Sequence, residues 1–414
     1  LKNPKWKPDY GSAMFNPVTG ATILGVRDFL IAYNINLNTT DHRLATDIAF
    51  EIRESGRSKR IPNPKSSNLL DGEIVRNPDG SPVKVKGLFK DVKAVGWYVD
   101  IYKRAQISIN FNNYKVSSIH DVFDAACELA EKRGVRVTGS ELVGLVPEDA
   151  LLMAGNHYLK KQHRSLGIPK EDIIETAVQS LGLNDVVPFN PSKKIIEYSI
   201  INDEKKLSSL RMTEFIDELS RNSVAPGGGS ASALVGSLGA SLLSMVASLT
   251  HEKKDYINIK NEMGDIGLEA QSLKNRLTTL IDEDTNAFNQ LIKMNRLPDS
   301  TPSESKYKKE SIKKANEYAI EVPYEVASLC FRVLEIAKNL VEKGNPNSIS
   351  DVEVASEAAL GGLRGAAMNV LINLKGIDDK IYAKKTVKDI QILIKKAESL
   401  HKKIFNKSIN TINK

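Results

Sequence analysis

The stretch from Asn222 to Thr250 constrains the fold more than any other part of the chain, because none of its residues carries a formal charge. It contains Pro226 and three glycines directly after it, and the remainder is mostly alanine, serine, leucine and glycine. Glycines suit a turn that brings bare backbone N–H groups against another group, and the residues after them have a helical composition. Small residues along such a helix let neighbouring helices approach closely.

Three kinds of structure come into question for this stretch. It is long enough to span a membrane, but its many serines and glycines make it too polar for that role. A phosphate-binding loop needs a lysine after the glycines, and Ser230, Ala231 and Ser232 provide none. The sequence therefore predicts a buried helix with a glycine-rich entry.

The composition places this helix in a chain long enough for two or three domains. The 414 residues include 58 basic and 51 acidic side chains, which gives a net charge of +7. This excess suits a polyanionic small ligand as well as nucleic acid, and no nucleic-acid-binding motif is present. Cys127 and Cys330 lie far apart in apolar surroundings, which predicts a reducing, cytoplasmic location without disulfides. The polar, proline-rich start at Leu1 predicts a fragment of a longer protein.

Strands and helices are mixed in the first half of the chain, after a proline- and glycine-rich loop that ends at Gly20. Alternating apolar residues predict strands, and a period near 3.6 predicts helices. The polar insertion from Ile61 to Phe89 predicts a surface hairpin that turns at Asn77 to Gly80. The predicted elements are a helical turn at 21–29, strands at 30–37, 92–98, 105–111, 136–142 and 195–198, and helices at 41–55, 118–133 and within 147–181. This order predicts an α/β sandwich.

A charged linker follows at residues 201–209, and beyond it the apolar residues repeat with the helical period. The predicted helices span 212–220, 230–250, 266–294, 308–319, 324–342, 351–374 and 387–405. They predict an all-α bundle. The predicted domains are therefore a loop at 1–20, an α/β domain at 21–200, the linker, and an all-α domain at 210–414.

One carboxylate interrupts an apolar stripe of the third of these helices. The stripe steps by four and three through Leu273, Leu277, Leu280, Asp284, Ala287, Leu291 and Met294. An unpaired charge in a core costs several kcal/mol, so Asp284 is either a protonated candidate acid or a cap or partner of a neighbouring helix. Asp282 lies about 200° around the helix and cannot share a proton with Asp284.

Two amides raise a similar question in the uncharged segment from Gly365 to Leu374. Asn369 and Asn373 lie one turn apart on one face, where they could fix a heteroaromatic ligand or join two helices. Asp351 follows Ser350 and is predicted to lie at a helix N-terminus.

These residues belong to four motifs that occur in order. The motifs are Asn222 to Ser230 (NSVAPGGGS), Ile281 to Phe288 (IDEDTNAF), Ser350 to Ala355 (SDVEVA) and Asn369 to Leu374 (NVLINL). Together they resemble the cyclodeaminase domain of formiminotransferase-cyclodeaminases.

Segments of the first half resemble the C-terminal subdomain of the formiminotransferase part of that family. They are Lys7 to Gly20, Phe29 to Leu37 (FLIAYNINL), Gly96 to Tyr98 and Gly139 to Pro147 (GSELVGLVP). The fold class implied by the resemblance is an α/β formiminotransferase C-terminal subdomain followed by an all-α helical-bundle cyclodeaminase domain.

The resemblance implies a folate-dependent enzyme of histidine degradation. The implied reaction closes 5-formimidoyltetrahydrofolate to 5,10-methenyltetrahydrofolate with loss of ammonia, and Asp284 is the implied proton donor. The implied folate-binding residues are Gly11, Ser12, Ala13, Met14, Phe15, Asn16, Pro17, Val18, Thr19 and Gly20. Further residues expected to contact or support the substrate are Gly227, Gly228, Gly229, Asp282, Asp351, Asn369 and Asn373.

The resemblance also implies ligands and partners. Polyglutamylated tetrahydrofolate is expected to carry the substrate, and no metal is expected. Glutamate and N-formimidoylglutamate are the expected further substrates of a longer protein. A homo-oligomer formed through the helical domain is expected, without nucleic acid or a membrane span.

One feature of the family is not matched. Its transferase histidine lies in a first subdomain that would precede Leu1, and no histidine of this chain stands in a matching motif. The histidines are His42, His120, His157, His163, His251 and His401. We therefore expect a chain that lacks the N-terminal formiminotransferase subdomain, with glutamate formimidoyltransferase activity only in a longer protein. The alternative is a non-catalytic folate-binding and oligomerisation module that needs a partner chain.

Overall fold

The computed structural model describes residues 3–11, 13–66, 68–200 and 206–413, which form two compact units. The first unit comprises Leu1–Ala150 and Gly182–Ile196, and the second comprises Leu151–Leu181 and Glu197–Lys414. The strands are β1 (Ile31–Leu37), β2 (Arg57–Ser58), β3 (Arg60–Ile61), β4 (Glu73–Ile74), β5 (Lys84–Val85), β6 (Val92–Val99), β7 (Arg104–Phe111) and β8 (Val137–Val143). The helices are α1 (His42–Ile52), α2 (Ile119–Glu131), α3 (Glu148–Lys161), α4 (Lys170–Ser180), α5 (Pro191–Lys194), α6 (Ile196–Ile200), α7 (Met212–Leu219), α8 (Gly228–His251), α9 (Lys260–Asn295), α10 (Pro302–Lys343), α11 (Ile349–Asn373) and α12 (Lys380–Ile412).

The first unit is built on an antiparallel sheet with strand order β6-β7-β1-β8. Every second residue of β1, from Ile31 to Leu37, is fully buried, as the period of a strand requires. On one face α1 packs against β6 and β7, and α2 packs against β1 and β8. Helix α1 approaches so closely that a Cβ on Gly96 would stand 2.0 Å from the backbone nitrogen of Thr46. The helices leave the other face of the sheet to polar side chains.

The polar insertion between α1 and β6 forms two short ladders, β2 with β5 and β3 with β4. The backbone N–H of Asn77 donates to Ser81, and Gly80 adopts a φ of +81°, which favours glycine. The predicted turn is therefore confirmed, although the segments beside it pair only briefly.

Helix α8 is the central helix of the second unit and packs against α9, α10 and α11. By length and composition it could span a membrane, with a mean hydropathy of 1.7 over 18 residues, and 56% of that window is buried inside the unit. The burial comes from neighbouring helices, which fits the predicted buried helix.

Small residues allow three helices to meet closely in this core. A Cβ on Gly362 of α11 would stand 2.9 Å from the carbonyl oxygen of Ser232 and 3.1 Å from the nitrogen of Gly236, both on α8. It would also stand 3.0 Å from the Sγ of Cys330 on α10. The absence of a side chain at position 362 therefore sets the spacing of the helices.

Three sequence-based element predictions are wrong. The two helices predicted at 308–319 and 324–342 are one helix, α10, because the buried neighbours of Pro323 keep the chain helical despite the lost N–H. Residues 21–30 have no regular structure, and Ile23 and Leu24 are exposed, so nothing favours the predicted helical turn. Ile195 bridges to Val146, but the residues after it form α6 instead of a strand.

We expect Gly362→Ala to destabilise the helical unit by about 1–3 kcal/mol, because the methyl group would press against the backbone of α8. Gly361→Ala is the matched control: it lies in the same helix with nothing within 4 Å of its Cβ. The control should gain about 0.5–1 kcal/mol from helix propensity. Urea unfolding followed by circular dichroism measures both changes, and equal stability of the two variants would contradict this packing.

Candidate active site

The first turn of α8 lies between a carboxylate on α9 and an amide on α11. Gly227 is the N-cap residue, and Gly228, Gly229 and Ser230 open the helix. The first N–H groups of a helix have no acceptor within it, and partial positive charge collects there. Gly228 is exposed at this turn and carries no side chain, so its backbone is open to a ligand, whereas Gly229 and Ser230 are buried.

Asp284 of α9 accepts hydrogen bonds from Ser230 at this turn. The backbone N–H of Ser230 donates to Oδ2 of Asp284 at 2.8 Å, and the Ser230 hydroxyl lies 3.1 Å from the same oxygen. Ser230 is fully buried, and its hydroxyl can also donate to the carbonyl oxygen of Ile281 at 2.8 Å. The Oγ1 atom of Thr285 lies 3.2 Å from the Ser230 hydroxyl oxygen. The start of α8 is therefore fastened to α9 at Asp284.

The three glycines are not equivalent in space. A Cβ on Gly229 would stand 2.0 Å from Oδ1 of Asp284, whereas nothing lies within 4 Å of a Cβ on Gly227. A Cβ on Gly228 would meet Nδ2 of Asn369 at 3.4 Å. Only at Gly229 does the carboxyl group take the space that a side chain would need.

Burial raises the pKa of the Asp284 carboxyl above its usual range, and the hydrogen bonds from Ser230 act in the opposite direction. Desolvation penalises the charged form, and donors favour it. The site also suits both protonation states, because the Ser230 hydroxyl can donate to the carbonyl oxygen of Ile281 and accept a hydrogen bond from a neutral Asp284. Asp284 therefore has the surroundings of a general acid.

Asn369 reaches the other side of the α8 turn. Its Nδ2 donates to the carbonyl oxygen of Gly365 at 2.9 Å, one turn earlier in α11. Ser232 packs between the helices here, since a Cβ on Gly365 would stand 2.4 Å from its Oγ. The structure thus brings Asp284, the glycine turn and Asn369 together, as expected from the sequence.

Three other predicted site residues lie elsewhere. Asp282 accepts a hydrogen bond from the Ser208 hydroxyl at 2.5 Å and so holds the segment before α7. Asn373 donates to the carbonyl oxygen of Ala319 at 2.7 Å, which joins α11 to α10. Asp351 lies in the first turn of α11, roughly 27 Å along the helix from Asn369 at 1.5 Å per residue. These side chains support the bundle, and a contact with substrate stays a prediction for each.

The predicted folate-binding loop belongs to the first unit. Gly11 and residues 13–20 are exposed, and Oδ1 of Asn16 accepts two backbone N–H groups from the residues after it. Ser12 lies outside the described residues. A folate contact by this loop stays a prediction.

Sequence reasoning missed Ser230 and Thr285. Serine is common in α8, so its pattern did not single out Ser230. A usable signal was its position three residues after the N-cap, where a helix N–H still lacks an internal acceptor. Thr285 follows Asp284 directly, and its contact depends on how α8 crosses α9.

A cavity of about 700 Å³ lies on the polar face of the four-stranded sheet. Oε1 of Glu141 accepts from Asn34 at 3.0 Å and from Gln106 at 2.9 Å, and its charge raises the pKa of Tyr102. Trp97 is 48% exposed and donates through Nε1 to Gln106 at 2.8 Å. A fixed carboxylate beside an exposed aromatic ring suits a flat heteroaromatic ligand.

Two family models match the chain. A formiminotransferase domain matches residues 32–201, and a formiminotransferase-cyclodeaminase model matches residues 211–392. The two matched regions do not overlap.

Known proteins are similar over the same regions. Formimidoyltransferase-cyclodeaminase of the mouse, Mus musculus, is 34% identical over 401 residues, which are 96% of this chain and 69% of the relative. Methenyltetrahydrofolate cyclohydrolase of Methylorubrum extorquens is 35% identical over 199 residues, covering 48% of this chain and 96% of the relative. The crystal structure of formiminotetrahydrofolate cyclodeaminase from Thermotoga maritima covers 50% of this chain and 98% of its own, with 25% identity and a TM-score of 0.42.

These matches correct two expectations. The expectation of a chain lacking the N-terminal formiminotransferase subdomain is wrong, because a formiminotransferase domain matches residues 32–201 and the mouse relative matches 96% of the chain. The fold class stated as a formiminotransferase C-terminal subdomain followed by a bundle is wrong for the same reason. The sheet-containing region is a match to the formiminotransferase domain itself, placed N-terminal to the cyclodeaminase match. The sequence reasoning relied on the missing histidine motif, which was too narrow a criterion.

We expect Asp284→Asn to be more stable than the wild-type protein at neutral pH. Because the folded state holds the Asp284 proton more tightly than the unfolded chain, the free energy of unfolding falls as pH rises from the ordinary aspartate pKa through the raised one. The amide cannot ionise, so the variant escapes this loss, and the difference should shrink as the pH is lowered. Urea unfolding of both proteins across the acidic range measures it, and a variant that is less stable at every pH would contradict the raised pKa.

Proposed function

Because the chain belongs to the formiminotransferase-cyclodeaminase family of folate-dependent enzymes of histidine degradation, we propose that its helical unit cyclises 5-formimidoyltetrahydrofolate to 5,10-methenyltetrahydrofolate and ammonia. The observation that carries this proposal is Asp284, a carboxyl with a raised pKa at the open first turn of α8.

The reaction needs one proton from an acid, delivered to the nitrogen that leaves. The N10 lone pair of the folate forms a bond to the formimidoyl carbon, and the C=N electron pair moves to the imine nitrogen. That nitrogen becomes ammonia after it gains two protons, the one that N10 loses and one from an acid. The N5 lone pair then expels the ammonia and leaves the cationic methenyl bridge between N5 and N10. A neutral carboxylic acid within reach can supply the proton.

The surroundings of Asp284 suit both ends of this step. Burial raises the pKa of the Asp284 carboxyl and so favours the form that holds the proton before the transfer. After it, the carboxylate is stabilised by the N–H of Ser230 and by the positive end of α8.

We further propose that the neighbouring groups orient the folate. The N–H group of the exposed Gly228 can donate to the pterin or to its tail, and the amide of Asn369 stands beside it. We propose a homo-oligomer in which a second copy of the chain covers this site. The exposed Val224, which lies next to the glycine turn, supports a contact between copies at this position. We also propose a cytoplasmic location.

We expect Asp284→Asn to lose at least about 100-fold in the rate of methenyltetrahydrofolate formation, because it removes the proton donor. Gly229→Ala should also lose most of the rate, since its Cβ would displace the carboxyl group. The measurement is methenyl absorbance with purified chain and 5-formimidoyltetrahydrofolate, with folding checked by circular dichroism.

Gly227→Ala is the matched control, because its Cβ meets nothing within 4 Å, and it should keep most of the activity. An unchanged rate in Asp284→Asn would remove the acid assignment. A wild-type chain that is inactive alone but active beside a partner chain would favour the non-catalytic module instead.

The name of the Methylorubrum extorquens relative provides a second candidate activity for the helical unit, hydrolysis of methenyltetrahydrofolate. The same assay separates the two activities. Cyclodeamination raises the methenyl absorbance and releases ammonia, whereas hydrolysis consumes added methenyltetrahydrofolate without ammonia. Hydrolysis alone would replace our proposal.

We also propose glutamate formimidoyltransferase activity for the first unit, supported by the formiminotransferase domain match. The cavity on the polar sheet face offers Trp97 for stacking against a pterin, with Glu141 held in place beside it. This proposal replaces the expectation that only a longer protein is active.

We expect Trp97→Ala to weaken tetrahydrofolate binding to the first unit by about fivefold, because stacking is worth on the order of 1 kcal/mol. Trp97→Phe, which keeps a ring, is the control and should retain most of the affinity. Titration calorimetry and transfer from N-formimidoylglutamate measure binding and activity. Identical behaviour of the alanine variant and the wild-type protein would move the ligand away from this face.

A further inference from the structure

Two carboxylates and an imidazole meet where α11 packs against α12. Glu353 and Glu357 lie one turn apart on α11, and His401 faces them from α12. One ligand atom from each of the three residues lies within 4.8 Å of the other two. All three belong to the second unit, and Asp284 is at a different place on the bundle.

The group contains two buried polar atoms that no hydrogen bond satisfies. They are Oε1 of Glu353 and Nε2 of His401, and neither forms a hydrogen bond of acceptable geometry in the described part of the chain, although Oε1 of Glu357 lies 3.0 Å from Nε2. They face each other at 3.8 Å, which is too long for a hydrogen bond. Buried polar atoms in native proteins are normally satisfied by protein, water or an ion.

The distances fit donors that share one ion. Two ligands about 2.1 Å from a tetrahedral zinc are separated by roughly 3.4 Å. Nε2 of His401 lies 3.0 Å from Oε1 of Glu357 and 3.8 Å from Oε1 of Glu353, values on either side of this separation.

Other features of the site favour a cation. Like charges one turn apart on a helix repel each other, and two carboxylates with a neutral imidazole match the charge of a divalent ion. The Ser408 hydroxyl donates to Oε2 of Glu353 at 3.0 Å and so orients the ligand from outside. The side chain of Glu357 is 59% exposed, which leaves a path for an ion to enter.

A simple ion pair explains less. A protonated His401 would pair with Glu357 at 3.0 Å, and the buried Oε1 of Glu353 would still have no donor. Neutral imidazole with two carboxylates is instead a donor set typical of zinc, with water in the fourth position.

We propose that Glu353, Glu357 and His401 bind one zinc ion, which clamps α12 onto α11. The site is structural, because it lies between two packed helices and apart from the proposed acid.

The test uses the purified chain, stripped with a chelator, and zinc chloride as the probe. We expect calorimetry to show one zinc per chain that His401→Gln and Glu353→Gln both abolish. Zinc at ten times its Kd should raise the Tm of the wild-type helical unit by about 3–6 °C and leave the Tm of both variants unchanged. Circular dichroism checks that the variants are folded.

Glu398→Gln is the matched control. Glu398 also joins α12 to α11, through Arg364, but lies outside the cluster and should leave zinc binding intact. Absence of zinc binding by the wild-type chain would overturn the proposal. So would zinc binding that persists in both His401→Gln and Glu353→Gln, because the ion would then occupy another place.

Discussion

The candidate site depends on the contact between one carboxyl group and the first turn of α8. Asp284 can lie there because Gly229 has no side chain and because Ser230 supplies a donor at the helix start. The same shortage of side chains lets α8 pack closely against α10 and α11: a Cβ on Gly236 would stand 2.5 Å from the Sγ of Cys330, and one on Gly239 would stand 2.9 Å from the carbonyl oxygen of Ala355. Close packing and the open helix start therefore have one physical origin, the small residues of α8. Larger residues would fill the core and cover the N–H groups.

Opposing electrostatic effects give this contact its chemical character. Desolvation favours the neutral form of Asp284, while the Ser230 donors and the helix N-terminus favour the anion. An acid that must release a proton and regain it in each cycle needs both states to be accessible, and a carboxyl in bulk water or one paired with an arginine would have only the anion. The polar face of the sheet in the first unit is different, because Glu141 accepts several hydrogen bonds and is suited to position a ligand.

The regular elements were largely predictable where one chemical pattern repeated. The strand at 30–37 and the helices α8 and α11 were found by their periods, within a few residues of their ends. Errors arose where tertiary contacts overrode a local signal, as in the continuous helix through Pro323. Asn369 and Asn373 show the same limit, since their spacing put them on one face, but only Asn369 lies beside the glycine turn. The spacing of two residues along a helix tells which face of the helix they share, but it does not tell which residues of other helices they contact.

The sequence by itself determined which residues could carry chemistry: a carboxylate in an apolar stripe, a glycine turn and amides in an uncharged helix. The period of the apolar residues and the type of each side chain are local properties, so they can be recognised from the sequence alone. Tertiary structure alone decided that Ser230 donates to Asp284, that Asp282 holds a distant segment, and that Glu353 lies opposite His401. These contacts join residues tens of positions apart, so they depend on how helices cross and on the space each side chain leaves.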